Sequence, residues 1–143
     1  MIILDTDTLS IAQHPDSEAA KILHSHIVAL SPDVTVGVTI ISYEEQMRGW
    51  MEYIRKSMTR IHQLRAYQKL LNHVRDWRSV NVIPFDEAAS NTLDRLRSQK
   101  LRIGTYDLKI AAVALTHDAT LITRNLQHFS KVPGLRVQDW TKP

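Results

Sequence analysis

Five short runs rich in apolar and β-branched residues, none longer than seven residues, alternate with longer stretches that carry helical spacing. They are "MIILD" (1–5), "VTVGVTI" (34–40), "VNVIPF" (80–85), "ATLIT" (119–123) and "GLRVQDW" (134–140). Strands separated in this way by helices predict an α/β fold. The expected architecture is a mainly parallel central sheet of about five short strands flanked by helices, in a single domain over residues 1–143. A chain of this length can bury one core without disulfides or structural metal. Its 43% apolar and 23% charged residues are ordinary for such a domain.

Helix signals fill the gaps. Asp16 reads as the cap of a helix whose Ala20, Leu23, Ile27 and Leu30 share one face, with Ser31-Pro32-Asp33 as its stop. Helical stretches follow at about 42–55 and 57–78. Asp86 is placed to cap "EAASNTLDRLRSQ", and Gly104-Thr105 leads into "YDLKIAAVALTH" (106–117). Within 57–78, Ile61, Leu64, Tyr67, Leu71, Val74 and Trp77 form one apolar stripe, with the basic residues mostly off it. Such a stripe is more often core than groove. Its alternatives are a face for an acidic or amphipathic partner, or for a second copy of the chain.

Charge is unevenly distributed. Residues 48–78 hold eight Lys/Arg against two acids, net +6, which leaves −3 for the rest of a chain whose total is +3. A basic block on an acidic body suits a polyanion or an acidic protein, and equally a solvated helix face. Cysteine is absent, which excludes disulfides, thiolate metal sites and cysteine nucleophiles. No apolar run approaches the roughly 20 residues of a membrane-spanning helix, and no secretory signal is expected at the N-terminus. The expected setting is the cytoplasm.

"ILDTDTLS" (3–10) puts Asp5 at the end of the first strand and Asp7 two residues on. Asp-x-Asp-x-Thr resembles the haloacid-dehalogenase superfamily, where the first aspartate is a nucleophile. That chemistry also needs a downstream Gly-Asp or Asp-Asp, and this chain contains neither dipeptide. A metal site is the better candidate. Magnesium favours oxygen ligands, and its sites use a few carboxylates plus substrate phosphate. Asp5, Glu44 or Glu45, and Asp107 are the available acids, although each alone also reads as a cap or a first-turn acid. In parallel sheets ligands bind outside the carboxyl ends of the strands. Asp5 ends the first strand, Thr123-Arg124-Asn125 ends the fourth, and Asp107 opens a nearby helix, so all can converge.

Taken together, "ILDTDTLS", "IISYEEQMRGW", "IGTYDLKIAAVALTHDATLITRN" and "HFSKVPGLRVQDW" resemble, in order and spacing from Ile2 to Trp140, the PIN-domain nucleases of the VapC toxin type. The resemblance implies a PIN-like α/β/α sandwich and a metal-dependent endoribonuclease, the toxin of a toxin–antitoxin pair. By it, Asp5, Glu45 and Asp107 are the acids of a Mg²⁺ or Mn²⁺ site, with Glu45 four residues before Gly49, and Asn125 takes the fourth catalytic position. Thr6, Asp7, Glu44 and Thr123 are accessory candidates. Arg48, Arg102 and Arg124 are candidates for holding RNA phosphates. A VapB-like antitoxin and a homodimer are the implied partners, with no membrane. Asp7 stands where the family usually has asparagine. His128 stands where it commonly has an acid, and beside Phe129 reads as a surface or packing residue. These departures leave open a non-catalytic RNA- or protein-binding PIN-like module, against which the three retained acids argue.

Overall fold

In the computed structural model, which describes residues 1–143, five strands pair side by side, every pairing parallel. They are β1 (Ile2–Leu4), β2 (Val36–Thr39), β3 (Val82–Ile83), β4 (Thr120–Ile122) and β5 (Arg136–Gln138), in the spatial order β3-β2-β1-β4-β5. Parallel neighbours need crossovers. These are supplied by α1 (Thr6–Ala12), α2 (Glu18–Val28), α3 (Ile40–Lys56), α4 (Arg60–Trp77), α5 (Glu87–Ser98), α6 (Thr105–Thr116) and α7 (Leu126–Phe129).

Alternation along β1 splits the core into two layers. Ile2 and Leu4 pack with Leu9, Leu23, Val38, Trp77 and Ile122 on one face. Ile3 packs on the other with Ile83, Leu93, Ile110, Leu121 and Phe129. The run Ile110–Ala114 in α6 is buried on all sides, and its small residues let α6 lie close against its neighbours. Helix starts are set by side-chain caps: Asp5, Ser17, Thr39, Thr59 and Asp86 each accept from a backbone N–H three residues on.

The differences from the sequence expectation are local. The cap of α2 is Ser17, not Asp16. Thr39 caps α3, so Ile40 is helical where the strand pattern extended to it. The helices α1 and α7 were not expected. The larger correction concerns α4, whose stripe is not core. Only Trp77 of that set is buried, while Ile61, Leu64, Tyr67, Leu71 and Val74 are 44% to 63% exposed. The inward row is Ala66, His73 and Trp77. Its spacing is equally helical, and the fully buried Ala66 marks close packing. No helix is long and apolar enough to cross a membrane.

After β1 the chain moves outward through β2 to β3, and after β4 it moves the other way to β5. The carboxyl ends of β1 and β4 therefore flank the topological switch point, where such sheets leave a crevice.

Gly37 is required where β2 meets the approach to β3. A Cβ there would lie 2.9 Å from the Asn81 carbonyl oxygen and 3.0 Å from Ile83 Cδ1. Gly37→Ala is expected to destabilise the fold by about 1–3 kcal/mol, the usual cost of overpacking, read as a lower urea midpoint with unchanged slope.

Candidate active site

The site begins with the last residue of the first strand segment. Asp5 N–H donates to the Ile122 carbonyl at 3.0 Å, carrying the β1–β4 pairing one step further. The chain then turns into α1. Asp5 Oδ1 accepts from Thr8 N–H at 2.7 Å as the helix cap, and Oδ2 accepts from the Thr123 hydroxyl at 2.5 Å. The Thr123 Oγ1 in turn accepts from Asn125 N–H at 2.9 Å. Asp5 is only 5% exposed, so its rotamer is held from both sides. Two bonds still leave about half of a carboxylate's four lone-pair sites free.

The other acids arrive on two helices. Glu45, on the second turn of α3, accepts from the Thr6 hydroxyl. Asp107 lies in the first turn of α6, whose N-terminus has no side-chain cap. Asp5, Thr6, Asp7, Ser10, Glu45, Asp107, Ile110 and Asn125 together line one pocket of about 330 Å³. Burial raises the Asp5 pKa above the usual carboxylate range, against the opposing hydrogen bonds from Thr123 and Thr8. Glu45 is raised too, first by burial, with the charges of Asp107 and Asp5 adding to it and the Thr6 bond opposing. Burial also raises Asp107, which His128 partly offsets.

His128 is exposed, as the surface reading expects, and it also touches the site. Its Nδ1 lies 2.9 Å from the Asn125 amide nitrogen and 3.7 Å from Asp107 Oδ2. The ring is thus placed between the Asn125 amide and the Asp107 carboxylate. Helical periodicity does not signal this, because α7 holds only four residues; the one pointer in the sequence is that His128 stands where PIN-domain nucleases commonly have an acid. Ser10, also missed, becomes legible once α1 is known to be helical, since it sits one turn after Thr6.

Several candidates lie elsewhere. Glu44 turns away from the pocket to bind Arg48 (3.0 and 3.1 Å) and accepts from the Tyr106 hydroxyl at 3.1 Å. The Arg48 hydrogen bond lowers the Glu44 pKa. Arg48 is thereby engaged outside the acidic pocket, and Arg102, at φ 54°, is exposed and not part of its lining. Arg124 does stand at the rim, 3.7 Å from Asp7, whose side chain is exposed.

An all-oxygen set of carboxylates, hydroxyls and one amide has the chemistry of a hard divalent cation site. As the side chains stand, no three of His, Asp or Glu converge closely enough to cage an ion. Thr6, Thr123 and His128 instead hold one acid each. The donor set fits the group.

Comparison with known proteins places the sequence and the fold. The family model described as PIN domain matches residues 2–135. The ribonuclease VapC1 of Haemophilus influenzae (strain R2866) is 30% identical over 126 residues, covering 85% of this chain and 87% of its own. The structure of VapBC-1 from nontypeable Haemophilus influenzae superposes with a TM-score of 0.71 at 29% identity, over 99% of this chain and 100% of that one. That of VapBC2 from Rickettsia felis, bound to a DNA fragment from its promoter, gives 0.72 at 26%, over 98% and 99%.

The raised acids have a measurable cost. A carboxylate whose folded pKa is raised destabilises the fold at pH above its unfolded pKa, near 4.3 for glutamate. The cost fades as pH falls through the folded value. Without added metal, Glu45→Gln is therefore expected to be more stable than the parent chain at pH 7, with the difference shrinking toward pH 4. Paired urea titrations across that range check it.

Proposed function

We propose that this chain, which belongs to the PIN domain family, is an endoribonuclease that hydrolyses RNA phosphodiester bonds with the help of Mg²⁺ or Mn²⁺. The observation that carries this reading is the meeting of Asp5, Glu45 and Asp107 in one pocket at the switch point of a parallel sheet. Asp5, Glu45 and Asp107 are the residues that would hold the ion. When bound there, it would stabilise charge on the phosphate during in-line displacement and acidify the attacking water.

The chain's own groups do the rest. Glu45, steadied by Thr6, orients the attacking water and draws its proton. Asn125 presents its amide beside Asp107, and Thr123 keeps the Asp5 carboxylate aimed. Arg124 at the rim meets a flanking phosphate. No covalent enzyme intermediate is needed, and water attack leaves a 5′-phosphate and a 3′-hydroxyl. The shallow pocket suits exposed single-stranded RNA, whose scissile bond is not hidden in a duplex.

The same proposal makes the chain the toxin of a toxin–antitoxin pair acting in the cytoplasm, where its RNA substrates are, and restrained by a VapB-like antitoxin. The relatives solved as VapBC support that partner. So does the exposed apolar stripe of α4 with its basic flank, which suits an acidic or amphipathic chain. A homodimer belongs to the proposal as well.

The test is cleavage of mixed single-stranded and structured RNA by the purified chain in Mg²⁺, Mn²⁺ or chelator. Cleavage should need the cation, and Asp107→Asn should lose about 100-fold or more, at least the loss seen when a metal ligand's support is removed. Chelator-resistant cutting, or an equally active variant, would overturn the proposal.

A further inference from the structure

Ser10 lines the acidic pocket and also a second cavity of about 320 Å³ between α1, α3 and α4. This neighbour is built from different chemistry. Trp50 and Tyr53 meet edge to face, centroids 5.9 Å apart, and the His73 ring lies 5.6 Å from Trp50. Lys69 Nζ stands 5.2 Å from the Tyr53 ring centroid. Opposite them, the Gln46 amide donates to Gln13 Oε1 at 2.9 Å and to Ser10 Oγ at 3.1 Å, and its oxygen accepts from Trp77 Nε1 at 3.0 Å.

Two features here are unexplained by the fold alone. His73 is only 4% exposed, yet its Nε2 has no hydrogen-bond partner. Native structures rarely leave a buried polar atom so without a role. Burial lowers the His73 pKa, so its ring is neutral near pH 7. Gly49 sits inside α3, where glycine is less stable than alanine, although a Cβ there would meet nothing within 4 Å. Packing does not require this glycine; it leaves the cavity wall open.

We propose that this cavity takes one unstacked nucleobase of the substrate RNA, adjacent to the scissile phosphate, stacked on Trp50 with its polar edge toward Gln13 and His73. The proposal rests on the ribonuclease reading for its substrate. Aromatic faces combined with amide groups and a lysine are what an unstacked base and its phosphate use. Spacing agrees as well. Glu45 and Gly49 are four residues apart on α3, about 6 Å along the axis, so one strand can enter both pockets in a single nucleotide step.

The test is an abasic scan of a short single-stranded RNA that the full chain cleaves, run with the parent, Trp50→Ala and Gly49→Leu. Removing the base at one position beside the cut should lower kcat/KM by roughly ten-fold or more, the scale of one base–aromatic stack. Each variant should lose a similar factor on intact RNA and nothing further on the abasic one. Gly49→Leu is included because it fills the cavity from open space, without removing a core contact. A flat scan, or losses that multiply between variant and abasic RNA, overturns the proposal and favours a socket for a protein side chain. If the parent chain cuts no RNA, tryptophan fluorescence titrations with the same oligonucleotides in chelator decide. The same non-additivity in Kd upholds the base site while the nuclease reading falls. Additive losses, or no binding, overturn both.

Discussion

The carboxylate of Asp5 joins structure and chemistry in this protein. Its backbone continues the β1–β4 pairing, one oxygen starts α1, and the other takes the Thr123 hydroxyl from the neighbouring strand end. A buried carboxylate is tolerable only with such partners. They also fix its direction, so the acid that opens the crevice is positioned by the same bonds that close the fold around it. Glu45 and Asp107 are then brought in by α3 and α6, which pack on the sheet through Ile41 and through Leu108 and Ile110.

Gathering acids this way opposes folding. Burial raises Asp5, Glu45 and Asp107 alike, and for Glu45 the charges of Asp107 and Asp5 add to it; the hydroxyls of Thr6 and Thr123 and the ring of His128 answer this only in part. Strain of this kind, concentrated at one pocket and compensated elsewhere by a well-filled two-layer core, is the signature of a site built for a ligand the acids can share. The neighbouring aromatic cavity carries the same mark in another form, an unpartnered His73 and a helix-interior Gly49.

How much of this was legible depends on length and contact. The five strands and the five longer helices follow from hydrophobic period and caps such as Asp86, because those signals are local. α1 was hidden because its cap is the site's own aspartate and it spans seven residues; a short helix carries too few turns for periodicity to speak. α7 was hidden for the same reason, and with it the link from His128 to Asp107. The α4 stripe shows the opposite failure: a clear pattern pointed to core, but α4 packs through Ala66, His73 and Trp77. Glu44 and Glu45 were separable only by the resemblance to PIN-domain nucleases. In space, one helical step sends Glu45 to the pocket and Glu44 to Arg48 and Tyr106, taking Arg48 with it.

Asp5 is the hub of the proposed cation site as well as a helix cap. Thermal unfolding with increasing Mn²⁺ tests it most directly, comparing the parent chain with Asp5→Asn, which keeps an oxygen for the Thr8 cap. A concentration-dependent rise in Tm that disappears in the variant is expected. No rise in the parent chain, or an equal rise in both, would contradict it.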